Sequence, residues 1–111
     1  MEIARKLVDT LDEKKGENIV LLDIKDIASF TDYFVICSGT SDRMLDALAK
    51  DVADKGDELM GRKPRIEGNP GGGWMLVDLG DIVVHLLSPD QRDYYQIEQL
   101  WERGKILIRL Q

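Results

Sequence analysis

Tyr33-Phe-Val-Ile-Cys-Ser-Gly-Thr-Ser41 is the stretch from which the rest of this chain can be read. Tyr33 to Cys37 is an unbroken apolar run with two β-branched members, which predicts a short strand without a polar face. Such a strand belongs at the centre of a sheet, or inside one covered on both faces. Ser38-Gly39-Thr40-Ser41 then turns the chain into a helical pattern from Asp42 to Met60, with Leu45, Leu48, Ala49, Val52, Leu59 and Met60 on one side. Thr40 or Ser41 can accept from the free N–H groups of the first turn, and Asp42 complements the dipole there. Gly56 weakens this helix by about 1 kcal/mol relative to Ala, and Gly61 suits the residue past its end.

Upstream, Glu2 to Lys15 has a helical period, with Ile3, Leu7 and Leu11 four residues apart and Gly16 as a stop. Asn18 to Ile24 is a second buried strand, and residues 25–31 are a polar connection. Downstream, Pro64 to Gly73 is a connection with a short edge strand at Arg65-Ile66-Glu67. Trp74 to Leu79 and Asp81 to Leu87 flank Gly80 and predict a β-hairpin. Ser88, Pro89 and Gln91 form a helix start with a capping box. That helix carries Tyr94, Ile97 and Trp101 on one stripe and runs to Gly104. The tail, Lys105 to Gln111, alternates Ile106, Ile108 and Leu110 and can add a strand. The order predicts a single α+β domain over residues 1–111, a mixed β-sheet covered by helices.

Composition narrows the function. The 111 residues carry a net charge of −6, which disfavours free nucleic acid and favours a basic protein partner. One Cys, Cys37, and one His, His85, cannot form an intrachain disulfide, a zinc finger or a His-rich transition-metal site; a carboxylate-held Mg²⁺ stays open. No run approaches the ~20 apolar residues of a membrane span. Glu2, Asp9, Asp12 and Glu13 do not suit a signal or transit peptide, so the expected setting is cytoplasmic.

Catalytic patterns fare poorly on mechanism. Gly68-Asn-Pro-Gly-Gly-Gly73 lacks the Lys and the helix of a phosphate loop and is read as a mobile surface loop. Ser38-Gly39-Thr40-Ser41 joins a strand to a helix as nucleotide sites do. Yet Asp78 and Asp81 flank a hairpin turn instead of sharing one strand face, as two-metal phosphoryl transfer requires. Ser41, His85 and Asp78 are the residue types of a hydrolase triad, without a nucleophile elbow. Trp74, Tyr94, Tyr95 and Trp101 concentrate large aromatics in the second half. Tyr94 and Tyr95, adjacent on a helix, point about 100° apart and cannot both be fully buried. An exposed aromatic cluster marks a protein-binding surface.

Two blocks carry a family resemblance. One is Thr31-Asp-Tyr-Phe-Val-Ile-Cys-Ser-Gly-Thr-Ser41 with Arg43. The other is Glu67-Gly68, Trp74-Met-Leu-Val-Asp78, Gly80-Asp81-Ile-Val-Val-His85, Arg92, Tyr94-Tyr95 and Leu100-Trp101. They resemble the ribosomal silencing factors, the Iojap-like family, over nearly the whole chain. Only Arg103 to Gln111 matches no family motif. The resemblance implies nucleotidyltransferase-like topology without transferase activity, catalytic residues, cofactor or metal. The implied partner is the large ribosomal subunit, bound through ribosomal protein fourteen at the intersubunit face. Such binding would block joining of the subunits and repress translation under nutrient limitation. A homodimer is implied when the protein is free. The alternative is a nucleotidyltransferase-fold enzyme or nucleotide-binding protein. The partner-binding residues that the resemblance implies are Trp74, Met75, Leu76, Asp78 and His85, then Tyr33, Thr40, Ser41, Arg43, Arg92, Tyr94 and Tyr95.

Overall fold

The computed structural model describes residues 1–100 and 102–110, so the expected stripe position of Trp101 lies outside the described residues. The elements are α1 (Glu2–Glu13), β1 (Glu17–Asp23), β2 (Tyr33–Ser38), α2 (Asp42–Met60), β3 (Arg65–Asn69), β4 (Trp74–Asp78), β5 (Ile82–Leu87), α3 (Pro89–Tyr95), α4 (Ile97–Leu100) and β6 (Lys105–Leu110). They build one α+β unit around a six-stranded mixed sheet of order β3-β4-β5-β2-β1-β6. β2 is interior, as its apolar run predicts: all of its residues are buried, between antiparallel β1 and parallel β5. Parallel pairing demands a long crossover between the two strands, and α2 with the β3 and β4 strands supplies it. Strand alternation then sorts the side chains onto two faces.

Behind the sheet, Val35, Cys37, Val77, Val84 and Leu86 pack against α1 and α2 through Leu7, Leu11, Leu45, Leu48 and Val52. Both helices have one apolar stripe, and this face accepts both. Ser41 caps α2 by accepting from the Met44 N–H at 3.1 Å, and Gly61 closes the helix at φ 74°. Gly56 has a packing reason: a Cβ there would lie 2.7 Å from Leu79 Cδ2 and 2.8 Å from Pro64 Cγ. In front, Val20, Leu22, Phe34, Ile36 and Leu87 form a second cluster, closed by Ile24 and Ile97.

Three expectations need correction. Gly68 to Gly73 is not a mobile loop. Gly68 and Asn69 end β3, and Pro70–Gly72 makes a 3-10 turn held by Asn69 Oδ1, which accepts from the Gly71 N–H at 2.9 Å. Gly68 sits at φ 94°, where a Cβ would fall 2.5 Å from the Trp74 carbonyl oxygen, so only glycine lets the two strands approach. The expected edge strand is therefore longer, and pairs with β4 from Arg65↔Asp78 to Asn69↔Trp74.

The last helix is not continuous. It breaks at Gln96, which takes a left-handed conformation at φ 47° and ψ 51°. A non-glycine residue there costs roughly 1 kcal/mol or more. The compensation is visible: Arg92 meets Glu98 in a two-pronged ion pair, both hydrogen bonds 3.0 Å long. Residues six apart on a straight helix lie about 120° apart around its axis and nearly two turns along it, so the break is what brings this pair together.

Nor is the capping box complete. Ser88 Oγ accepts from the Gln91 N–H at 3.2 Å, but the Ser88 N–H donates to the Gly73 carbonyl at 2.8 Å instead of to Gln91. The tail does add a strand: β6 pairs antiparallel with the outer edge of β1.

Candidate protein-binding face

β4 alternates cleanly. Met75 and Val77 enter the core behind the sheet, whereas Trp74, Leu76 and Asp78 are half-buried and face forward. Their cross-strand neighbours on β5 are Leu87, His85 and Val83, and on β3 Asn69, Glu67 and Arg65. Among the described residues, α3 and α4 leave this end of the sheet partly open, with Ile97 and Tyr95 at its border. What results is an open groove of about 400 Å³. Leu76, Val83 and His85 floor it, Trp74, Phe30, Phe34 and Ile97 wall it, and Glu67 and Asp78 stand at its rim.

Aromatic rings run along this face in contact. Phe30 and Phe34 are 6.0 Å apart by centroid, Phe34 and His85 4.5 Å edge-on, Trp74 and His85 6.0 Å. Trp74 then meets Tyr95 at 4.8 Å, and Tyr95 meets Tyr94 at 4.9 Å edge-on. Tilted and edge-on pairs at these separations suit the ring quadrupoles. Phe30 is 62% exposed and Tyr94 78%, so the row begins and ends in solvent.

His85 sits in the middle of the row. The Trp74 indole N–H donates to His85 Nδ1 at 3.3 Å, which places the proton of the neutral ring on Nε2. Nε2 is buried and has no hydrogen-bond partner among the described residues. Burial pushes the His85 pKa down to about 4, so the ring is neutral near pH 7. Together these features make an uncharged, apolar floor between two carboxylates.

The other site expectations scatter. Met75 is 4% exposed and its side chain belongs to the rear core, so it is not presented at the groove. Tyr33 is also in the rear core; its hydroxyl accepts from Lys25 Nζ at 3.1 Å. Thr40, Ser41 and Arg43 are exposed where β2 passes into α2 and do not line the groove. Arg92 is committed inward: beyond Glu98, its Nη1 donates to Ser38 Oγ at 3.0 Å. Tyr94 and Tyr95 extend the groove wall through Trp74.

The side chains of the catalytic alternatives have hydrogen-bond partners of their own here. Ser38 Oγ is taken by Arg92, Ser41 Oγ by the α2 cap, and Asp78 Oδ1 accepts from the Gly80 N–H at 2.8 Å. His85 Nδ1 is engaged by Trp74. The Cys37 thiol is buried and its pKa is pushed up to about 12, which makes it a poor nucleophile. Sequence reasoning passed over Phe30, Phe34, Val83 and Ile97 as groove residues. An isolated Phe in the polar connection 25–31 was the available signal for Phe30; the others read as core.

The chain matches the family model described as "Ribosomal silencing factor during starvation" over residues 1–109. It is 43% identical to ribosomal silencing factor RsfS of Bacillus subtilis over 90 residues, covering 81% of this chain and 76% of that one. It is 36% identical to "Mitochondrial assembly of ribosomal large subunit protein 1" of Mus musculus, covering 86% of this chain and 43% of that longer protein. Among solved structures, a Chromobacterium violaceum protein aligns with a TM-score of 0.84 at 38% identity, covering 91% of this chain and 84% of that one.

Proposed function

Because this chain belongs to the ribosomal silencing factor family, we propose that it docks the groove face on ribosomal protein fourteen of the large ribosomal subunit. Seated at the intersubunit face, it blocks joining of the small and large subunits and lowers translation when nutrients are short. One observation carries this reading: Trp74, Leu76, Asp78 and His85, from one family block, converge on a groove of the sheet that is open among the described residues. The mouse relative is named for large-subunit assembly, which supports the choice of subunit.

The physics of the face fits a basic protein partner. Glu67 and Asp78 have no ion-pair partner among the described residues, and the whole chain carries −6. Complementary charge steers encounter, while buried aromatics supply affinity. A standard interface takes roughly 800 Å² from each partner, about an eighth of this protein's 6345 Å² surface. Steric exclusion requires an interface and no reacting residue, so the role is binding, not catalysis. The working place is the cytoplasm, with a homodimer as the form off the ribosome.

The test is subunit joining with purified large and small subunits. Excess protein lowers the joined fraction, and Trp74→Ala does not. A joined fraction that excess wild-type protein leaves unchanged sinks the proposal.

A further inference from the structure

α3 buries none of its own residues, yet one of its rings, Tyr95, walls the docking face. Something other than apolar packing must set how the helix is turned about its axis. Arg92 is the side chain in a position to do so. Its guanidinium reaches Ser38 at the end of central β2 with one prong and the Glu98 carboxylate with two, all at 3.0 Å. Its side chain is only 10% exposed.

We propose that Arg92 is a positioning residue for the docking face, clamping α3 to β2 and α4 so that Tyr95 is held against Trp74. Residues three apart on a helix are neighbours on its surface, so fixing Arg92 fixes the direction of Tyr95. Tyr94, two positions on, is turned away from the Arg92 side, in keeping with its 78% exposure. The clamp needs all three nitrogens of a planar guanidinium. An ammonium has the same charge but cannot bridge both Glu98 oxygens and Ser38 at once. This assignment also gives Arg92 a role without partner contact. Its binding consequence rests on the docking proposal; its structural consequence does not.

Two readouts separate those. The first needs no ribosome: Trp74 emission, read in a Trp101→Phe background that removes the second tryptophan. Arg92→Lys shifts that emission to the red, because Tyr95 leaves the indole and water replaces it. Glu98→Gln shifts it the same way and serves if Arg92→Lys does not fold. Unchanged emission in a folded variant overturns the clamp. The second is affinity for purified large subunits. Arg92→Lys weakens binding about tenfold, Tyr95→Ala does likewise, and the double variant is no weaker than Tyr95→Ala alone. Multiplying effects overturn the claim that Arg92 acts through Tyr95. If wild-type protein does not bind large subunits while the emission shift is seen, the docking proposal fails and the clamp stands.

Discussion

Behind the sheet, α1 and α2 bury Leu7, Leu11, Leu45 and Leu48 against Val35, Val84 and Leu86. In front, Phe34, His85 and Trp74 are covered, among the described residues, by parts of the 24–30 connection, by Tyr95 of a short helix without buried residues, and by Ile97. The rear face is mostly aliphatic and is covered by two helices. The front face is aromatic, half open, and holds a buried His nitrogen without a partner among the described residues. A protein that needed only stability would cover both faces alike. The contrast lies in cover: the rear face is packed under two helices, whereas the front face, around its own buried cluster, leaves apolar area accessible, which is what the docking proposal requires.

The largest expected effect tests the rear. Leu48→Ala removes a fully packed side chain and should cost about 2–5 kcal/mol in urea unfolding. The folded fraction should bind large subunits normally. A cost below about 1 kcal/mol would break the contrast, because the rear would then not be the stabilising face.

The next effect comes from the front. The folded pKa of His85 lies below its unfolded value, so its neutral form favours folding. That contribution is complete above the unfolded pKa near 6.5 and is lost as pH falls toward about 4. The loss reaches roughly 3 kcal/mol, from 1.36 kcal/mol per pKa unit. His85→Phe keeps a ring between Phe34 and Trp74 and removes this part of the acid dependence. Parallel stability curves for the two proteins between pH 4 and 6.5 would show that His85 is not held neutral.

Trp74→Ala separates the two kinds of contribution. It should weaken large-subunit binding by about 2 kcal/mol or more, the range of an aromatic hot spot. Its stability cost should be smaller than that of Leu48→Ala, because Trp74 is only half-buried. Equal loss in both measurements would make Trp74 a core residue. Tyr94→Ala should be the mildest: within about 0.5 kcal/mol of wild type in stability, as expected at an exposed position. A measurable drop in affinity from the same variant would extend the docking face to the end of the aromatic row.

Period and punctuation made much of the fold legible. The apolar run of β2, the stripe of α2 and the two strands around Gly80 appear where local pattern puts them, because each buries side chains at its own repeat. Local pattern missed what distant residues impose. The glycines from Gly68 to Gly73 looked loose, but the approach of β3 to the Trp74 carbonyl requires one of them and the turn orders others. The last helix looked continuous because nothing within it calls for a break. Gln96 turns left-handed to bring Glu98 to Arg92, which Ser38 holds from 54 residues away in the chain. The candidate site was half legible. Trp74, Leu76, Asp78 and His85 share a face by alternation, but Met75 falls on the other face by the same rule.

By itself, then, the sequence determined an acidic α+β chain with a central β2, a helical crossover and an aromatic second half. Hydrophobic period and net charge are local sums, and no partner strand is needed to read them. Only the tertiary structure decided that Phe30, far from Trp74 in sequence, stands across one groove from it. It alone decided that His85 is neutral and that Arg92 faces inward. Those properties depend on which surfaces water cannot reach, and that is fixed only when the sheet and its helices are assembled.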